Sequence, residues 1–232
     1  MDLLAPIGLG LFIMLFVIAL VRTARQQRQA QTWKFSDFAA MAGFQFHEMD
    51  PGIAEKLAEG FRGFGTFHSP SLGRVQPMNV VTGGVDEGEL CVFVHSTRVY
   101  EGYEREWFVC ILRTENHLCS AASIERRRGR LREVTELGGD PIVSFRQDLR
   151  FERMFVVVGQ DADRLRLLLA SPVRELLLER TPRLPFVPGI QLRGDRVAVY
   201  LADRNADLAD VDEVGQLVAF TRDLARSLVS RT

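Results

Sequence analysis

The sequence predicts an α+β protein: an N-terminal transmembrane helix followed by a largely antiparallel sheet domain. Three observations carry that prediction. Residues Leu3 to Val21 contain no charged side chain. Four β-rich runs between Gly63 and Thr114 are separated by turn-forming clusters. The segment from Val211 to Leu228 carries one apolar stripe at helical spacing. The chain divides into an anchor over residues 1–22, a polar tether over 23–32 and a soluble domain over 33–232, with a lobe boundary placed near residues 138–140.

At 1.5 Å rise per residue the uncharged run makes a helix about 28 Å long, close to the thickness of a bilayer's hydrocarbon core. A cleaved signal peptide would open with a basic stretch and close on a small-x-small site. Here Met1-Asp2 leads and Ala19-Leu20-Val21 runs into Arg22, so the segment reads as a retained anchor. Arg22, Arg25, Arg28 and Lys34 flank its C-terminal side and no basic residue flanks the other. Basic excess marks the cytoplasmic side, which predicts an outward N-terminus and a cytoplasmic domain at the plasma (inner) membrane. The three cysteines, Cys91, Cys110 and Cys119, lack the spacing of a disulfide framework, as suits a reducing compartment.

The formal net charge of −1 supplies no global attraction to nucleic acid. All but Lys34 and Lys56 of the 29 basic residues are Arg, a bias that weakens any single Arg as a functional signal.

In the soluble part, Phe35, Phe38, Ala39 and Ala42 recur at helical spacing, with Thr32 or Ser36 as cap and Gly43 as terminator. A short helix is predicted from Pro51 to Ala58, with Pro51 in its first turn. Strands follow at Gly63–Phe67, Val75–Val81, Glu89–Tyr100 and Glu106–Thr114. Their short links, Ser69 to Gly73, Gly83 to Gly88 and Glu101 to Glu104, permit antiparallel neighbours and so a meander. Cys91, Phe93 and His95 alternate with Leu90, Val92 and Val94, and both sets are mainly apolar, so both sheet faces are covered. Farther on, Arg153–Val158 reads as a strand. Asp161 opens a helix through Leu169, and Ser171-Pro172 starts another. The proline-rich Thr181–Gly189 is a loop, and Arg193-Gly194-Asp195 turns a hairpin. Asp210 with Glu213 forms an acidic variant of a capping box for the last helix.

The anchor, Trp33 with Phe38-Ala39 and Gly43-Phe44, and the later Phe151, Phe155, Val157, Gly159 and Asp161 resemble a bacterial family of uncharacterised activity. The resemblance spans most of the chain. It implies one N-terminal transmembrane helix with a soluble α+β domain, and it carries no catalytic residue across.

Candidate sites are few. Cys91 with His95 and His117 with Cys119 have strand spacing for metal ligands, but Cys-x-x-Cys knuckles are absent and thiols in apolar strands read as core. The cluster Arg126, Arg127, Arg128, Arg130 and Arg132 has the character of a headgroup or phosphate contact; its bland reading is a solvated loop neutralised by Glu125, Glu133, Glu136 and Asp140. No aromatic platform accompanies it for single-stranded nucleic acid. Glu101, Glu104 and Glu106 beside Tyr100 and Tyr103 offer paired carboxylates, which at a turn read as solvated. Phe61, Phe64 and Phe67 are pocket or core. Nucleophile elbows, phosphate-binding loops and His-Glu-x-x-His are missing, so no cofactor and no catalytic residue is assigned. The chain therefore reads as a single-pass membrane protein: residues 3–21 meet the bilayer, and the domain binds or scaffolds a protein or small-ligand partner. The alternative is a membrane-tethered enzyme of unrecognised class.

Overall fold

The computed structural model describes residues 4–62, 68–69, 73–74, 76–99, 103–127, 140–202 and 211–230. The first helix, α1, runs unbroken over Leu4–Ala42. Neither Gly nor Pro occurs between Leu11 and Ala42, and the tether is rich in Arg, Gln and Ala, all good helix formers. The helical ladder therefore passes straight through the tether, and the expected start at Thr32 or Ser36 does not exist. Thr32 instead donates its hydroxyl to Asn79 Oδ1 at 2.9 Å. Most side chains of residues 3–21 lie outside the described set; among the described residues no helix is long and apolar enough to cross a membrane. Arg22 is exposed on α1, and the side chains of Arg25 and Arg28 lie outside the described set.

The end of α1 is a Schellman motif. Gly43 sits at φ +70°, Phe44 N donates to Ala39 O at 2.8 Å, and Gly43 N donates to Ala40 O at 3.4 Å. Phe44 then meets Phe38 with ring centroids 6.1 Å apart, the apolar contact that accompanies this cap.

The chain continues through β1 (Gln45–Met49), α2 (Ile53–Ala58), the two-residue β2 (His68–Ser69) and β3 (Gly73–Arg74), β4 (Met78–Val85), β5 (Gly88–Val99), β6 (Tyr103–Arg113) and β7 (Cys119–Arg126). After these come β8 (Ile142–Val143), α3 (Leu149–Met154), β9 (Phe155–Gly159), α4 (Ala162–Leu168) and α5 (Ser171–Arg180). A 3₁₀ turn (Thr181–Arg183), β10 (Gly189–Gly194), β11 (Arg196–Ala202) and α6 (Val211–Val229) complete it. The protein is α+β, with a nine-stranded antiparallel sheet in the order β1-β4-β5-β6-β11-β10-β7-β9-β8. The meander β4-β5-β6 stands as expected, but the hairpin β10-β11 inserts between β6 and β7. Gly138-Gly139 lies outside the described residues; strands from either side of it are hydrogen-bonded neighbours in this one sheet.

The two faces are covered differently. The back face packs the last turns of α1 together with α3 to α6 in the larger cluster, where Phe35 meets Phe108 edge-on at 5.3 Å. The front face packs α2 and Phe61 over Cys91, Phe93, Trp107, Val109, Ile111 and Tyr200. Three local expectations shift. Gly83, Gly84 and Val85 belong to β4, so only Asp86-Glu87 turns. The strand expected from Arg153 begins at Phe155, because Asp148 accepts from Phe151 N at 3.1 Å and caps α3 ahead of it. Ser171 is already helical and donates to Glu175 Oε1 at 2.8 Å, leaving Ala170 at the N-cap. The strand Gly63–Phe67 and the cap residue Asp210 lie outside the described residues.

Candidate functional site

Period-two alternation sorts every strand between the two faces. On β10 it sends Ile190 and Leu192 to the back cluster and leaves Gly189, Gln191 and Arg193 in front. On β7, Ile124 and Ala122 go back while Ser123 and Glu125 face front, and on β9 Val156 and Val158 do the same. Beyond the reach of α2, the front face is therefore polar at its centre: Gln191 pairs in register with Ser123, and both are buried.

A wall rises over this floor from the segment after α2. Asp50 starts α2 by accepting from Ala54 N at 3.0 Å and Glu55 N at 2.9 Å. Arg196 closes its other end, donating to the carbonyls of Leu57 at 2.5 Å and Glu59 at 3.1 Å while its guanidinium lies 5.2 Å from the Phe61 ring centroid. Burial, the largest influence, lowers the Arg196 guanidinium from its ordinary value; Arg193 and Arg113 push the same way, and Asp195 and Glu59 oppose them.

So positioned, Arg62 grips the floor in two ways. Its N–H donates to Gln191 Oε1 at 2.9 Å and its carbonyl accepts from Gln191 Nε2 at 3.2 Å. Its side chain pairs with Asp140 at 2.5 Å, and Asp140 also accepts from Gln160 Nε2 at 3.2 Å. The result is a cleft of about 40 Å³ lined by Phe61, Arg62, Ser123, Asp140, Gln191 and Arg193. Beside it, the Tyr200 hydroxyl donates to Glu125, and Trp107 packs on the Tyr200 ring at 5.5 Å between centroids.

The residues singled out from the sequence fall mostly elsewhere. Arg126 ends β7, and Arg127 is turned toward α3, its backbone N donating to Met154 O at 2.8 Å and its Nε to Glu152 O at 3.1 Å. Arg128, Arg130 and Arg132 lie outside the described residues, as do Tyr100, Glu101, Phe64 and Phe67. Glu106 is exposed on β6, where the side chains of Tyr103 and Glu104 are not described. The two Cys/His pairs are apart: Cys91 lies in the front cluster, Cys119 in the back one, and His117 is exposed. Among the described residues no group of three or more His, Cys, Asp or Glu is arranged to hold a metal ion. Burial pushes the Cys110 and Cys119 thiols up to about 12 and Cys91 well above its ordinary value.

Arg62, Ser123, Gln191 and Arg193 carry no site reading in the sequence, and Asp140, read there as a counter-charge to the arginine cluster, pairs with Arg62. One signal was available: Gln191 interrupts an apolar strand between Ile190 and Leu192 at a position that must face a covered surface.

Against proteins of known structure, this α+β fold is similar to the crystal structure of the mycobacterial trehalose monomycolate transport factor A. The TM-score is 0.57 and the sequence identity 12%, over 85% of this chain and 93% of that one. At that identity the likeness is one of fold. No protein-family model matches the sequence, and no curated protein matches it.

Proposed function

We propose that this chain is a single-pass membrane protein of the bacterial plasma membrane that acts by binding rather than by chemistry. Residues 3–21 are its anchor, the N-terminus faces outward, and the sheet domain stands on the cytoplasmic side. The observation that carries this reading is the continuity of α1 from the uncharged segment to Phe35, Phe38 and Ala39, which are buried in the sheet's back cluster. A helix locked into the core at one end and apolar at the other holds the domain at a set distance, with about 21 Å of stalk between Val21 and Phe35. The polar stretch of the front face is the binding surface. The shared fold with a trehalose monomycolate transport factor supports an accessory role in moving an amphiphilic molecule over that of an enzyme.

Fractionation tests the anchor. The full chain should stay with membranes through carbonate washing and be released once residues 3–21 are deleted; recovery of the intact chain in the aqueous fraction would overturn it. For the orientation, alkaline phosphatase fused after Thr232 should be inactive, and strong activity would reverse the assignment.

A further inference from the structure

We propose that the front-face cleft binds a single phosphate-type oxyanion, free or carried on a lipid headgroup, between Arg193, Ser123 and Arg62. This rests on the reading above that the polar stretch of the sheet is the binding surface, and it names the ligand class.

Charge is the first argument. Among the described residues the one carboxylate lining the cleft, Asp140, is already met by Arg62 at 2.5 Å and by Gln160 at 3.2 Å. Arg193 has no ion pair among the described residues, and its partner in register across the β10-β11 hairpin is another guanidinium, Arg196. Like charges facing each other across a ladder are unfavourable and leave a positive potential that an anion relieves. Arg196 is committed to the carbonyls that end α2, so Arg193 is the cation with capacity to spare.

Placement is the second. The Arg193 guanidinium lies flat across Gly60, where an added Cβ would fall 2.5 Å from its Nε. It thus lies at the rim of the cleft, beside the Phe61–Arg62 wall. Ser123 lines the same cleft with 6% of its surface exposed, and its hydroxyl makes no hydrogen bond among the described residues. That hydroxyl keeps contact with solvent, so it is available to a ligand that enters the cleft. Gln191 does not compete for the ligand, since both ends of its amide are engaged by the Arg62 backbone.

Size is the third. A water requires about 10–15 Å³ of such space, so 40 Å³ holds the few waters that one tetrahedral oxyanion would displace.

The test is calorimetric titration of inorganic phosphate into the full chain in nonionic detergent, with glucose as neutral control. Saturable binding that weakens with added salt is expected. Arg193→Gln should weaken it about tenfold or more, the loss of one charge-assisted hydrogen bond. Ser123→Ala, which removes only a hydroxyl, should weaken it about threefold and keeps the test alive if the Arg193 variant fails to fold. Repeating the titration in phosphatidylglycerol and phosphatidylcholine nanodiscs separates the sources. Weaker phosphate binding in the anionic discs identifies a headgroup ligand, and equal binding identifies a free one. Absence of saturable phosphate binding, binding unchanged in both variants, or binding of glucose instead overturns the proposal. Loss of membrane association would leave the phosphate isotherm intact, so failure of the anchor and failure of this site are distinguishable.

Discussion

Tyr200 reaches over Gly189 to donate its hydroxyl to Glu125, spanning three adjacent strands. The two outer residues meet because the middle one has no side chain. A Cβ at Gly189 would lie 2.4 Å from Tyr200 Cζ, well inside contact distance. Gly189→Ala should therefore displace the ring and cost about 1–3 kcal/mol, as overpacking of a dense region does. Urea unfolding followed by circular dichroism measures this; an unchanged midpoint would show that the ring has another place to go.

The β4-β5 turn is tied to α6 through Glu87, which accepts from Arg222 Nε at 2.8 Å and from Arg226. Burial pushes the Glu87 carboxyl up, but the hydrogen bonds from Arg222 and Arg226 outweigh it and hold the group below its ordinary value. A depressed carboxylate stabilises the fold above its unfolded pKa, and that stability is lost as pH falls through the folded value. Asp148, lowered chiefly by the hydrogen bond from Arg174, and Glu152, lowered chiefly by that from Ser144, act in the same direction. Stability should accordingly hold near neutrality and fall below about pH 5. Comparing urea midpoints from neutral to acidic pH, Glu87→Gln should start lower than the parent and show a shallower decline.

The docked and free sides of α1 should respond very differently. Phe35 is 1% exposed and packed edge-on against Phe108, whereas Trp33 is 71% exposed. Phe35→Ala is expected to cost about 3–5 kcal/mol, the range for emptying a buried aromatic site. Trp33→Ala should stay within about 0.5 kcal/mol. Thermal unfolding of the two variants side by side decides it, and similar losses would mean that α1 packs otherwise.

Thiol chemistry reports on the sheet itself. With Cys110 and Cys119 pushed up to about 12 by burial, and Cys91 raised well above its ordinary value, almost no thiolate forms near neutral pH. Iodoacetamide should leave the native chain unmodified and label all three cysteines in denaturant, as read by intact mass. Rapid labelling of any one under native conditions would show that its strand opens.

How far the sequence reaches depends on the range of the interaction. The Gly43 cap, the Asp161 cap and the stripe from Val214 to Leu228 were legible because each is settled within a few turns of helix by φ preference, a short side chain or a 3.6-residue period. The meander was legible for a similar reason, since short links leave its strands no other neighbour. Helix α3 was missed because its cap at Asp148 is a single residue with no apolar repeat behind it.

By itself the sequence determined the uncharged N-terminal segment, the α+β class, the alternation that puts apolar residues on both sheet faces, and most helix ends. Those follow from side-chain chemistry and local backbone preference. Only the tertiary structure decided that α1 is one rod, that β10-β11 enters between β6 and β7, and that Arg62 meets Asp140 and Gln191. Those partners stand 78 and 129 residues apart in the chain. A contact of that range is chosen by how whole faces pack, and no pattern within a stretch of sequence encodes which distant side chain will be waiting there.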